Sequence, residues 1–336
     1  MHKAVVILIA LSSSASAANP NPVGQAVGAA LQADAKAALA AFSSVDVSTL
    51  SPKDQATVTC MRERLGGAVV ELPVTASMSE RALAIYRSYW LSAMNDPSRR
   101  DLEEGKLAKQ LGQVLGAPAG TDMDTLEPLL AEALKREGLH SLQGRTGLLR
   151  ELMIWSKEDS RQMLVALPEQ QQNVKVELLD GFTSLGWSEF ATCGRASTGG
   201  WTTDEALFAV VPRYDSMDGE EFRVSFLSHE AQHFADKARF KDLQPWELEF
   251  RAKLTELAEA VQTRSKVLGK FIQDQGDDPG SPHSFANRRL LNGLVSRLGV
   301  ANAGALETVD PAKLRSAASA MLREDTSRRV GARKGK

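Results

Sequence analysis

The sequence predicts an α+β fold, predominantly helical, with a small β-sheet and one helix that carries His229-Glu230-Ala231-Gln232-His233. Three observations lead there. Up to about residue 149 the apolar residues recur at helical spacing between recognisable caps. From about Arg150 the pattern changes to short β-prone runs bounded by Pro, Gly, Asn or Asp. From Met217 onward helical periodicity returns and lasts to about residue 322.

In chain order, the first residues have the parts of an export signal: Lys3, an apolar run from Ala4 to Leu11, and small residues ending Ala15-Ser16-Ala17. The expectation is a signal peptide over 1–17 and a mature protein in the periplasm or the medium. The apolar run falls short of the roughly 20 residues that a spanning helix needs, so no membrane span is expected after cleavage. Val23 to Phe42 is alanine-rich and helix-prone. Ser51-Pro52 opens a second helix and Gly66-Gly67 closes it. Ser77-Met78-Ser79-Glu80 is a capping box for a third, which Asn95-Asp96-Pro97 ends. Two more are expected from Arg99 to Leu115 and from Thr125 to Arg136, with Gly138 beyond the last. These make an N-terminal helical region over 18–149.

The second region is expected over 150–322. Gln162 to Leu167, Val174 to Leu179 and Ala206 to Val211 read as strands, and Ser197-Thr198-Gly199-Gly200-Trp201 as a loop or bulge. After the motif helix, Gln244-Pro245 starts a long helix running towards Leu268, with a buried stripe of Trp246, Phe250, Leu254, Leu257 and Val261. A Gly/Asp/Pro loop from Gln275 to Pro282 precedes His283 and two last helices. The basic end, 323–336, reads as a flexible, solvated tail.

With 43% apolar and 24% charged residues in 336, the chain is globular. A net charge of -2 gives no reason to expect nucleic acid as a partner. Cys60 and Cys193 are the only cysteines, so either one disulfide or two buried thiols fits an oxidising compartment.

Met217 to Phe240 carries the chemistry. Residues i and i+4 stand one above the other on a helix, so His229 and His233 can reach one ion, with Glu230 turned aside as a base. That donor set suits Zn2+. Asp218 and Glu221 are placed as a capping box, with Met217 and Phe222 as its staple. Val224, Leu227, Ala231, Phe234, Ala235 and Ala238 share the face to be buried, and His229, His233 and Asp236 the opposite one. Asp236 is read either as the acceptor for a ligand histidine's distal N–H or as a surface carboxylate beside Lys237 or Lys241. His140, with no acidic or His companion at useful spacing, is left out of the site.

This motif and its context resemble a zincin metallopeptidase. A metzincin would have His or Asp where Arg239 stands, and the downstream GTxD of an aspzincin is missing. Glu249-Phe250-Arg251-Ala252 resembles the ExxA form of the gluzincin third ligand, although Lys253 stands where an acidic residue often follows. The resemblance spans Ala206 to Leu257. It implies a zincin-like catalytic region with His229, His233 and Glu249 as zinc ligands, Glu256 being the other candidate. It implies Glu230 as general base and a protein or peptide substrate. Either His283 or Tyr214 would stabilise the oxyanion, and Ala206 to Val211 would be a strand that pairs with extended substrate or an interior strand. A second reading is a secreted helical binding protein whose motif is vestigial or holds a structural metal.

Overall fold

Local capping chemistry decides where most of the helices begin. The computed structural model describes residues 7–10, 21–67 and 76–334. The expected signal segment lies outside them except for a short strand, β1 (Ile7–Ala10). The alanine-rich stretch is two helices, α1 (Pro22–Leu31) and α2 (Ala35–Ala40). The break comes at Asp34, whose carboxylate accepts from the Ala37 N–H and starts a new helix. Ser51 caps α3 (Pro52–Gly66), and Ser77 with Glu80 forms the expected capping box of α4 (Met78–Asn95). α5 (Arg100–Leu115) ends on the left-handed Gly116, and Asp122 caps α6 (Met123–Arg136).

The helical reading fails after Gly138. His140–Thr146 (β2) and Leu149–Trp155 (β3) pair antiparallel, with Thr146 opposite Leu149 across a two-residue turn at Gly147. β2 has no buried face, so its sequence lacks the alternation that would mark it. The chain continues through β4 (Lys157–Ala166), β5 (Gln171–Asp180), β6 (Ser184–Leu185) and α7 (Trp187–Thr192). Next come β7 (Thr198–Thr202) and β8 (Leu207–Val210). β7 corrects the loop expected at Ser197 to Trp201. Its five residues are buried, and an added Cβ at Gly200 would stand 2.2 Å from the Phe208 carbonyl and 2.5 Å from the Phe226 ring. The glycine that suggested a loop instead allows close approach.

The last third is helical: a π-helix over Glu221–Ser228, then α8 (His229–Arg239), α9 (Pro245–Glu259), α10 (Arg264–Gln273), α11 (Pro282–Leu298) and α12 (Pro311–Lys334). Two expectations are corrected here. The helix from Pro245 stops at Glu259, because Glu220 accepts from the N–H groups of Val261, Gln262 and Thr263 and so starts a separate α10. The basic end is no tail: α12 continues to Lys334, with Asp325 and Thr326 buried and Arg329 paired to Glu247. No helix among the described residues is long and apolar enough to cross a membrane.

The chain divides into two units, one of residues 8–159 and 179–198, the other of 1–7, 160–178 and 199–336. In the former, α1 to α7 pack with the three-stranded sheet β2-β3-β6 around a core that includes Met61, Tyr86, Trp90, Leu107 and Ile154. Cys60 and Cys193 are bridged there, with Cα atoms 6.2 Å apart. In the latter, α9 to α12 enclose a core of Leu254, Leu257, Leu268, Leu290 and Leu314. The five-stranded sheet has the order β1-β7-β8-β5-β4. β8 is therefore an interior strand, and the expected pairing of Ala206 to Val211 with substrate has no free edge to use.

One buried carboxylate gives a pH test. Glu151 is 3% exposed; its Oε1 accepts from the N–H groups of Leu152 and Trp187, and its Oε2 from the Thr146 hydroxyl. Burial outweighs these bonds and pushes its pKa up to about 7. Between the ordinary carboxylate value and about 7 the folded protein holds a proton that the unfolded chain has lost, so stability falls as pH rises through that window. Glu151→Gln keeps an acceptor for both N–H groups and a donor for Thr146. Urea unfolding is expected to show the variant matching wild type near pH 4.5 and exceeding it by about 2–3 kcal/mol at pH 8. A constant difference across that range would assign the pH dependence elsewhere.

Candidate metal centre

The motif lies where the π-helix gives way to α8. Asp218 does not cap this helix: its N–H donates to the Ser216 hydroxyl, and Glu221 pairs with Lys266. The start is fixed by an aromatic cluster instead, with Tyr214, Phe222 and Phe226 ring centroids 5.3–6.0 Å apart. The expected outward ligand face is also corrected. His229, Glu230, Gln232, His233 and Asp236 are all buried along with Ala231 and Ala235, while Ala238 is exposed. α9 covers the polar face, and a polar contact meets each of those five side chains except Glu230, which turns to the sheet.

His229, His233 and Glu249 form a buried group that could hold a metal ion, their candidate donor atoms all within 4.8 Å of one another. The Glu249 carboxylate faces both rings, Oε2 3.6 Å from His229 Nε2 and Oε1 3.4 Å from His233 Nε2. Tetrahedral donors about 2 Å from a common ion stand roughly 3.3 Å apart, so the cage is close to the size the metal needs. None of the four imidazole nitrogens makes a hydrogen bond, and Glu230 Oε1 makes none either. Buried polar atoms in such a state call for a partner. The donor set therefore fits a bound cation.

Glu256 stands seven residues beyond Glu249 and approaches the other side of His229, its Oε2 3.4 Å from Nδ1. It therefore faces His229 from the side opposite Glu249. This is the place for which Asp236 was considered, but Asp236 is 2.9 Å from the Arg251 guanidinium and 1% exposed, so both earlier readings of it fail. Glu247, in the first turn of α9, caps the Gln244 N–H and pairs with Arg329, away from the histidines.

The electrostatics of the cage favour positive charge at its centre. For Glu249, burial disfavours ionisation, yet contact with His229, His233 and His283 holds its carboxyl well below the ordinary range. For His229, burial works against protonation, but Glu249 and Glu256 push its pKa up to about 10. The same carboxylates attract a metal cation as they attract a proton.

Glu230 is fully buried and accepts from the Thr202 hydroxyl on β7 through Oε2. His283, at the start of α11 and 39% exposed in its side chain, has Nδ1 2.9 Å from Glu249 Oε2. Tyr214 donates to the Gly199 carbonyl at 2.9 Å, which commits its only proton. Burial and then the Glu230 charge raise its pKa far above that of a free phenol. His140 pairs with Glu158 and stacks on Trp155, in the other unit.

Arg251 was not anticipated from the sequence except as a letter in the ExxA form. It is 1% exposed and donates to Asp325 Oδ2 at 2.8 Å and Thr326 Oγ1 at 3.0 Å besides facing Asp236. Thr255 donates to Gln232 Oε1 at 2.9 Å, adding another link between α9 and α8. Comparison with protein-family models, with curated proteins and with solved structures finds no match to this chain.

Arg251→Met keeps much of the volume but leaves Asp236 buried without the guanidinium it faces, while Asp325 keeps Arg328 and Arg329. The expected cost is about 3–5 kcal/mol, read as a lowered urea midpoint. A loss under about 1 kcal/mol would show that the two carboxylates are compensated without it.

Proposed function

We propose that His229, His233 and Glu249 bind Zn2+ and that the protein is an exported zinc-dependent metallopeptidase of the gluzincin type. The observation that carries this reading is a single carboxylate, Glu249, facing the Nε2 atoms of both motif histidines at 3.4–3.6 Å, with Glu230 next to the first of them. Bound zinc supplies a Lewis acid that makes water a nucleophile near neutral pH and polarises a carbonyl.

The chain's own residues do the rest. Thr202 holds Glu230 Oε2, leaving Oε1 to take the proton of an attacking water and later return it to the leaving amine. Glu256 fixes the ring of His229 through Nδ1. His283 leans on Glu249 with Nδ1, which leaves Nε2 for a substrate oxygen bearing negative charge. Tyr214 is set aside for that task because its hydroxyl proton is already given to Gly199.

One observation favours the second reading, a metal held for structure in a binding protein. His229, His233 and Glu249 are each no more than 3% exposed, and structural zinc sites are closed whereas catalytic ones keep an open position. Turnover decides between them. Glu230→Gln is expected to retain zinc and lose at least about a hundredfold in cleavage of a peptide library read by mass spectrometry. Zinc-loaded wild type that cleaves nothing in that library would favour the structural reading.

The ligand assignment has its own test. Glu249→Ala is expected to release zinc, whereas Glu256→Gln should keep it with affinity lowered about 10–100-fold. Loss of zinc on replacing Glu256 but not Glu249 would reverse their roles.

A further inference from the structure

Lys253 stands one turn beyond Glu249 on α9 and is 7% exposed. Its ammonium is 3.9 Å from Glu249 Oε2 and lies over the Phe271 ring, 4.8 Å from the centroid. Lysine is among the residues least often buried, and an aliphatic side chain would cover Phe271 as well. Its charge therefore needs a reason beyond packing.

The charge of the cage supplies one. Glu230, Glu249 and Glu256 are buried carboxylates, and the two histidines must be neutral to act as ligands. In their ordinary ionised forms the three carboxylates would leave three negative charges around a site for a divalent ion. The Lys253 ammonium reduces that to two. Lys270 on α10 also lies near Glu256, but burial first and then the like charges of Lys266 and Lys253 disfavour its cation, and Glu221 attracts it as well. Arg251 is occupied by Asp236 and Asp325, so it does not balance the cage.

We infer that Lys253 is a positioning residue that matches the charge of the cage to a divalent cation, weakening the hold on that cation while keeping the buried site electrically neutral once loaded. The inference rests on the reading of His229, His233 and Glu249 as ligands. It predicts that removing the ammonium tightens metal binding, an outcome that a purely structural lysine would not produce. Unit charges a few ångströms apart at an effective dielectric of about 20 interact by more than the free energy of a tenfold change. A gain of roughly tenfold or more in affinity is therefore expected.

The experiment measures zinc dissociation constants for the full chain by competition with a chromophoric chelator. It compares wild type, Lys253→Met, Lys253→Gln and Lys253→Arg, each checked by circular dichroism and thermal melting. Met and Gln are expected to bind zinc at least about tenfold tighter, and Arg, which keeps the charge, to stay within a few-fold of wild type. Unchanged or weaker binding in folded Met and Gln variants overturns the inference, as does unfolding of both. Zinc bound by wild type but unaffected by these changes removes this inference alone. A wild type that binds no zinc removes the ligand reading as well.

Discussion

The unit that holds the candidate metal centre depends on finding partners for the polar side chains buried on α9. From Arg251 to Leu257 every residue of that helix is buried, including Arg251, Lys253, Thr255 and Glu256. Each of the four has a partner: Asp236 and Asp325, Glu249, Gln232 and His229 respectively. Three of those links go to α8. The two helices are thus fastened by a row of directional contacts, which fix their register in a way that apolar packing alone would leave loose. The guanidinium of Arg251 is the most demanding member, because it serves α8 and α12 at once.

That register is what assembles the donor set. With Asp236 held to Arg251 and Gln232 to Thr255, the intervening His233 is turned to the carboxylate of Glu249, two residues before Arg251. Glu256, on the same edge of α9 as Glu249, then reaches the back of His229. The seven-residue spacing that places two glutamates on one edge gives them different tasks along the axis.

The sequence showed the parts of this arrangement whose signals are local. Ser51, Ser77 and Pro245 mark helix starts through the chemistry of their own turn, and the motif histidines are linked by helical geometry alone. Glu249 came from a resemblance, and a single turn of helix positions it. The burial of α8 on both faces was not legible. Val261, expected in the apolar stripe of the helix from Pro245, lies beyond the end of α9 and is 59% exposed, while charged Arg251 and Lys253 are inside. A hydrophobicity pattern assigns charges to solvent unless their partners are known, and Asp325 lies 74 residues away from Arg251. The flat, polar β2 and the glycine-bearing β7 were missed for a related reason, since pairing with a neighbour rather than alternation makes them strands.

The widened winding over Glu221–Ser228 has an evolutionary consequence. A π-helical turn holds one residue more than the α-helical turn it replaces, so it behaves as an insertion absorbed without breaking the helix. Tighter winding of the segment between Tyr214 and the first histidine would take one residue fewer per turn and leave the downstream pairing of α8 and α9 in step. On the upstream side of His229 such a change would fall on the aromatic packing of Phe222 and Phe226 rather than on the contacts between α8 and α9. Beyond His229, Gln232, His233 and Asp236 each face a partner on α9, and a deletion there would break the phase of those contacts.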